Sequence, residues 1–249
     1  GDGRMIRSGW VDPARYGRTH TGYRTARSLD SFAPHIRLAR PAEVYDQVGV
    51  GRCVAEACAL GVEILALRQG YPPSRPDRTD LYHAGRRAIG TIAEDSGCIG
   101  ADVLAWLKQA GWRREEREPS PIFDESYLTP PPVLPADAPR LVNYEPLAID
   151  VPTLLWELLC GHPVVAGLRI TEQWDRPGEV IGPPEGDTAG GHMVCFDGYQ
   201  IQGDRVQIRV ANSWSASWAD GGEAWLDASW VSVLRMGEMH AMRAIRWAA

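Results

Sequence analysis

The sequence contains no long hydrophobic run. None of its apolar stretches approaches the roughly 20 residues that a helix needs to cross a bilayer. Residues 1–40 also contain no hydrophobic block of the kind found in signal peptides. We therefore expect a soluble chain without a transmembrane segment or a signal peptide, and we expect no membrane partner.

A positive net charge is missing as well. The formal net charge is -6 at pH 7, which argues against a nucleic-acid partner. The first 40 residues are a local exception, with eight arginines against three aspartates, a difference of +5. We expect this arm either to lie across an acidic surface or to be a solvated terminus.

Cysteine pairs with metal-binding spacing are absent. The five cysteines include no CxxC pair, so we expect no zinc site, no other metal and no cofactor. An odd count leaves at least one thiol unpaired within the chain. Free cysteine is commonly a small buried hydrophobic residue, and this is the expectation for Cys58, Cys98, Cys160 and Cys195.

The 249 residues are 44% hydrophobic and 23% charged, enough for one large domain or two small lobes. Their patterns divide the chain into a helical first half and a β-rich second half, an α+β class. A proline-rich connection over 119–139 separates the halves. Helices are predicted at 52–68, 81–93, 100–110 and 151–160, and strands at 141–149, 163–171, 192–201, 204–212 and 238–247.

Cys53 stands at the predicted start of a helix that is apolar almost all round. A helix N-terminus lowers the pKa of a thiol and so favours the nucleophilic thiolate. The preceding loop runs from Gln47 to Gly51 and contains two glycines, which allow tight turns. If this loop folds Gln47 back over the helix start, the Gln47 side-chain amide and the Cys53 N–H point at one spot. Acyl transfer requires such an oxyanion hole.

The pattern of the second half selects one histidine as the base for this thiol. Strands on either side of Ile201-Gln202-Gly203 predict a hairpin with a three-residue loop. In that register residue i faces residue 404 minus i, so His192 lies opposite Asn212, which would orient the imidazole. Asparagine occurs at only one other position, Asn143. The other histidines are His20, His35, His83, His162 and His240; of these, His83 and His162 are interpreted as structural.

Three blocks of sequence now resemble the papain family of cysteine peptidases, in that family's order. They are DQVGVGRCVAEA at 46–57, GGHMVCFDGY at 190–199 and NSWSASWADGGEAWL at 212–226. The resemblance covers roughly residues 40–247. The sequence between the three blocks is similar to the bacterial and viral branch of the family. The separation of Cys53 and His192, 139 residues, falls within the roughly 130–150 typical of the family.

The resemblance implies a two-lobe fold with the active site in the cleft between a helical left lobe and a β-rich, barrel-like right lobe. Residues 41–118 would form the left lobe, and 1–40 with 119–249 the right lobe, of a single catalytic unit spanning 1–249.

The resemblance also assigns roles in a peptidase acting on a peptide or protein substrate. Cys53 matches the nucleophile, His192 the general base and later acid, Asn212 the orienter of the base and Gln47 the oxyanion donor. Trp214 matches an aromatic shield of the histidine–asparagine pair, and Met193 a residue near a substrate side-chain pocket. Gly191 is interpreted either as a turn residue or as a place where substrate backbone approaches His192.

Arg52 and Val54 depart from the residues usual beside the family's nucleophile, and Val50 replaces a cysteine that forms a disulfide in many members. Arg52 is expected to be exposed and to pair with Glu56 rather than to act on the thiol. Two alternatives stay open: a binding or effector domain that has lost activity, and a thiol acyltransferase acting as a ligase or cyclase.

Overall fold

In the computed structural model of the protein, residues 8–175, 177–232 and 236–247 are described. This part of the chain contains five α-helices. Their bounds are α1 Cys53–Arg68, α2 Arg78–Ala88, α3 Gly100–Gln109, α4 Val151–Leu159 and α5 Ser229–Ser232. The four helices predicted from sequence are confirmed as α1 to α4. No helix among the described residues combines the length and the apolar character needed to cross a membrane.

Eight described strands form one sheet. Their bounds are β1 His35–Arg37, β2 Arg140–Pro146, β3 Val164–Ile170, β4 Val180–Ile181, β5 Gly190–Gln202, β6 Arg205–Ala211, β7 Glu223–Asp227 and β8 Met236–Arg246. The strand order is β2-β8-β3-β5-β6-β7-β4, and β1 pairs with β5 outside this path. All pairings are antiparallel except that of β4 with β7. The sheet confirms the predicted α+β class.

Helix α1 is the most buried helix of the fold. Its side chains are buried from Cys53 through Ala66, whether apolar or charged. Leucine, alanine and valine supply both helix propensity and apolar surface on every side. Gly61 allows close packing on β8, because a Cβ there would collide with the side chain of Met242. The helix is thereby fixed against the sheet, and its first residue, Cys53, contacts Met193 of β5.

Two hydrophobic clusters make up the core. The first surrounds α1 and includes residues from α2 and α3. The second lies among α4, β3, β5, β6 and four tryptophans. Two clusters are compatible with two lobes, but the division at residues 41–118 stays a prediction.

Helix α2 begins three residues earlier than predicted and ends five residues earlier. Asp77 caps its start, where the carboxylate accepts the N–H groups of Thr79 (3.0 Å) and Asp80 (3.1 Å). Just beyond its end, Gly90 takes a left-handed conformation with φ 77°. Asp77 and Gly90 can both be recognised as helix-end signals in the sequence. The prediction used only the apolar pattern and therefore placed the helix too far towards the C-terminus.

The predicted register of the β5–β6 hairpin is wrong. The loop has two residues rather than three, because Gln202 pairs with Arg205. Gly203 does take the expected left-handed conformation, with φ 61°. The pairing ends at Cys195 with Ala211, after a bulge between Phe196 and Gly198. His192 is therefore not paired with Asn212 on the sheet, and their contact arises from side chains beyond the end of the hairpin.

The described part of the N-terminal arm lies against the chain's own acidic groups. Arg18 pairs with Asp102 of α3 (2.6 Å), and Arg24 pairs with Asp150 at the start of α4 (3.1 Å). These two arginines thus pair with acidic groups of the same chain, while most of residues 14–40 are exposed to solvent. Residues 1–7 of the arm lie outside the described residues.

Candidate active site

The Cys53 sulfur lies at the first residue of α1 and is fully buried. The N–H of Met193, on β5, points at it from 3.4 Å. Burial raises the pKa of the thiol to about 12, and the charge of Glu56 adds to the increase; backbone N–H groups of Met193, Val54 and Trp10 act in the opposite direction. The expected lowering by the helix start is therefore outweighed by desolvation in this closed arrangement, and the sulfur is a neutral thiol at pH 7.

His192 and Asn212 form a buried hydrogen-bonded pair. The imidazole Nε2 lies 2.7 Å from the Asn212 Oδ1. This oxygen also accepts the N–H of Ser213 (2.8 Å), which fixes it as an acceptor. Nε2 is thereby assigned the proton, and the lone pair of the neutral imidazole is on Nδ1. Burial lowers the pKa of His192 to about 4, against the hydrogen bond to Asn212, which raises it.

The Nδ1 atom of His192 is buried and has no hydrogen-bond partner. Its chain neighbour Met193 touches the Cys53 sulfur. The free basic atom and the thiol therefore lie in the same small region, although no Sγ–Nδ1 hydrogen bond is formed.

Gln47 is buried beside the start of α1. Its Nε2 donates to the carbonyl oxygen of Val50 (3.0 Å), and its Oε1 accepts the hydroxyl of Ser213 (2.8 Å). Its backbone N–H donates to the Ser213 carbonyl (2.9 Å). An amide nitrogen carries two donors, so one N–H remains for a ligand. Ser213, which sequence reasoning did not single out, joins Gln47 to Asn212.

The loop before Cys53 turns at a different residue from the one expected. Val48 takes a left-handed conformation, with φ 50°, whereas neither Gly49 nor Gly51 does. Gly51 is needed for a different reason. A Cβ there would crowd the Tyr82 hydroxyl and a carboxylate oxygen of Asp95, which accepts the Gly51 N–H (3.0 Å). The glycine permits close packing of the loop rather than a turn.

Trp214 covers the histidine–asparagine pair. Its ring centroid lies 4.7 Å from that of His192, with the planes tilted by 34°. Trp174 meets the imidazole edge-on at 6.1 Å and stacks on Trp218 at 5.9 Å. Sequence reasoning identified Trp214 but missed Trp174 and Trp218. Trp174 stands in a segment without a motif, and Trp218 stands in the asparagine block but was not singled out there. The apolar rings keep water from the Nε2–Oδ1 hydrogen bond.

Gly191 and Met193 flank His192 on β5. The Gly191 carbonyl accepts two backbone N–H groups from residues 9 and 10. Met193 is buried, and its side chain packs so closely on α3 that a Cβ at Gly100 would collide with it. Gly191 is thus approached by the chain's own backbone, and the substrate roles of Gly191 and Met193 stay predictions.

Arg52 is buried rather than exposed, and its guanidinium points away from the thiol. It pairs with Glu56 (2.6 Å), as expected, and donates to the Tyr127 hydroxyl (2.6 Å) and to the carbonyls of Asp46 and Ser120 (each 3.0 Å). Each of its three nitrogens donates at least one hydrogen bond within the fold. Arg52, whose position beside the nucleophile suggested the alternative of an inactive binding domain, therefore belongs to a structural ion pair with Glu56.

The remaining candidate residues have structural surroundings. All five cysteines are free thiols; Cys58, Cys98 and Cys195 are buried and Cys160 is half-buried. His83 bonds the Tyr127 carbonyl, and His162 bonds Glu157. Within the described residues, no group of three or more histidine, cysteine, aspartate or glutamate side chains is arranged to hold a metal ion.

The fold is that of papain-like cysteine proteases. Xylellain, a cysteine protease from Xylella fastidiosa, is 21% identical with a TM-score of 0.81, over 96% of this chain and 97% of that chain. A procathepsin B from Trypanosoma congolense is 15% identical with a TM-score of 0.75, over 96% of this chain and 87% of that chain. The bromelain protease from Ananas comosus is 14% identical with a TM-score of 0.65, over 85% of this chain and 100% of that chain. No protein-family model and no curated protein matches the sequence.

Proposed function

We propose that the chain is a cysteine peptidase that hydrolyses peptide bonds through an acyl-enzyme on Cys53. The observation that carries the proposal is the His192–Asn212 pair. Its hydrogen bonding leaves the basic Nδ1 atom without a partner, and the next residue, Met193, contacts the thiol at the start of α1. The fold shared with cysteine proteases supports the same reading.

In the proposed reaction, His192 takes the proton of Cys53, and the thiolate attacks the peptide carbonyl carbon. The free N–H of Gln47 and the backbone N–H of Cys53 bind the oxyanion. His192 then protonates the leaving amine, and the C–N bond breaks to give a thioester. Water, deprotonated by His192, attacks the thioester and releases the acid and the thiol. Asn212 holds the imidazole in the tautomer that both proton transfers require.

The test is cleavage of a peptide library followed by mass spectrometry of the products. Wild-type protein is expected to give pairs of products whose summed mass exceeds that of the substrate peptide by one water. Cys53→Ala is expected to give no products. Cys160→Ala is the matched control, since this half-buried thiol lies away from the site, and its product pattern should equal the wild type. Cleavage by Cys53→Ala at the wild-type rate would contradict the proposal. Joined peptides without added water would favour the acyltransferase alternative.

A further inference from the structure

The proline-rich connection between α3 and β2 contains a run whose sequence favours one backbone conformation. Residues 129–135 have the sequence TPPPVLP. Each proline fixes its own φ at about -65° and lacks an N–H donor, and the residue before a proline is kept out of the helical region. Within this run only Val133 is neither a proline nor followed by one. The sequence therefore favours the polyproline II helix, which has three residues per turn and no internal hydrogen bonds.

The burial of this run repeats every three residues. Pro131 and Leu134 are half-buried, whereas the residues on either side of each are exposed. Residues 130–135 belong to no helix or strand, and none of the hydrogen bonds among the described residues involves residues 130–134. A period of three without internal hydrogen bonds is the geometry of polyproline II. We call residues 129–135 the proline segment.

Two edges of the proline segment face solvent, and one edge faces the body of the protein. In a helix with three residues per turn, Pro131 and Leu134 share the inner edge. The two outer edges carry Pro130 with Val133, and Pro132 with Pro135. Val133 is 100% exposed. The segment therefore presents apolar side chains to solvent along two neighbouring edges.

Both ends of the proline segment are fixed to the fold. Before it, Tyr127 is fully buried. After it, the Arg140 guanidinium donates to the Ala136 carbonyl (3.0 Å). The N–H of Trp112 then donates to the Pro139 carbonyl (3.0 Å). A segment that is already held in an extended shape loses little conformational entropy when a partner binds it.

The surface beside the proline segment is acidic. Pro130 and Pro132 line a surface groove of about 740 Å³ together with residues of α2. The charged side chains of this groove are two guanidinium groups and five carboxylates, from Asp77, Asp80, Glu116, Glu118 and Asp124. The excess of carboxylates favours a partner that carries lysine or arginine at the rim of its contact surface.

We propose that the proline segment is a docking site for a protein domain that binds polyproline II helices, with aromatic side chains in its groove and basic side chains at its rim. Such grooves hold a preformed polyproline II helix by packing aromatic rings on its prolines. A groove covers the edges of a rod that face it, and two of the three edges of the proline segment are free. The docking site takes no part in the proposed reaction, so it does not rest on the proposed peptidase function.

Docking is tested with the full chain carrying Cys53→Ala, so that the proposed reaction cannot degrade the probe. The probes are purified SH3, WW and EVH1 domains, whose grooves bind polyproline II segments. Each domain is prepared as a pair of variants with either lysine or glutamate at the groove rim, and binding is measured by isothermal titration calorimetry. At least one lysine-rim domain is expected to bind, at least about tenfold more tightly than its glutamate-rim counterpart.

Variants of the two outer edges locate the contact surface on this chain. Val133→Asp places a charge at the fully exposed position, and Pro132→Ala combined with Pro135→Ala removes both prolines of the other outer edge. Each variant should weaken binding at least about tenfold, as expected for residues that carry binding energy. The matched control is Pro72→Ala combined with Pro73→Ala, at two exposed prolines outside the segment and its groove. The control should bind as the parent does.

Thermal unfolding midpoints equal to that of the parent would show that the variants keep the fold, as expected for exposed positions. Binding by none of the domains, or equal binding by the parent and both outer-edge variants, would overturn the proposal. Tighter binding by the glutamate-rim domains would also overturn it, because the partner would then lack the basic rim.

Sedimentation velocity of the parent alone tests the other occupant of this surface, a second copy of the chain. The proposal predicts that the parent and Val133→Asp sediment alike. A dimer of the parent that Val133→Asp dissociates would show that the proline segment is covered by self-association, and would overturn the proposal.

Discussion

At the scale of single residues, the site depends on one hydrogen-bond chain. Ser213 donates its N–H to Asn212 and its hydroxyl to Gln47, so the orienter of the base and the proposed oxyanion donor are held by the same residue. Gln47, Cys53, His192 and Asn212 could be singled out from the sequence as candidate site residues. Ser213 was not, because a serine beside an asparagine is common and its two partners are far apart in the chain.

Asn212→Ala is expected to lower kcat on the order of 10²-fold, since the imidazole loses the acceptor that fixes its tautomer. Steady-state cleavage of one peptide identified in the library measures this. The control is Asn143→Ala, which removes the only other asparagine, exposed on β2. Equal losses in both variants would show that the change acts through the fold and not through His192.

At the scale of elements, helix α1 could be predicted from the sequence. Of the β5–β6 hairpin, the strands could be predicted but not the register. A buried helix is specified by its own composition, whereas a hairpin register depends on the loop length and on any bulge. The bulge at residue 197 leaves Asp197 buried, with Arg40 and Arg209 each 3.8 Å from its carboxylate. No periodicity in the strand predicts that bulge.

Helix α1 carries a buried ion-pair network that is expected to dominate its stability. Glu56 pairs with Arg52 (2.6 Å) and Arg78 (2.7 Å), and all three are almost fully buried. Glu56→Gln leaves buried guanidinium charge uncompensated and should lower the free energy of unfolding by about 3 kcal/mol. Urea unfolding measures this, with Glu116→Gln at an exposed position as the control. A change below about 0.5 kcal/mol, as is usual for surface sites, would contradict the expectation.

At the scale of the whole molecule, the sequence predicted a basic arm but not its course. Charge counting left open an acidic surface or a solvated terminus, and Arg18 and Arg24 pair with two acidic side chains of the same chain. The hydrogen bonds of residues 9 and 10 to Gly191 were beyond prediction, because one Gly-Trp pair carries no periodic signal.

Glu157 ties the arm to the body and makes stability depend on pH. Burial opposes its ionisation, but hydrogen bonds from His162, Arg243 and Tyr23 outweigh this and lower the pKa of the carboxyl to about 2. A depressed folded-state pKa contributes stability above the unfolded value, about 4.3, which is lost as pH falls towards 2.

Glu157→Gln should therefore lower the free energy of unfolding at pH 7 by about 2 kcal/mol, and the difference from wild type should shrink between about pH 4.3 and 2. Urea unfolding at several pH values measures this. Glu179→Gln, at an exposed position, is the control. A deficit that stays constant down to pH 2 would exclude the carboxylate as its source.

The central claim is that Cys53 and His192 act as one pair, and the pH dependence of Cys53 alkylation tests it most directly. Iodoacetamide labelling, followed by peptide mass mapping, is run at a series of pH values on wild type and on His192→Ala. The account predicts that labelling of Cys53 in the wild type sets in at lower pH than in His192→Ala, because the imidazole takes the proton of the thiol. The same pH dependence of Cys53 labelling in wild type and in His192→Ala would contradict it.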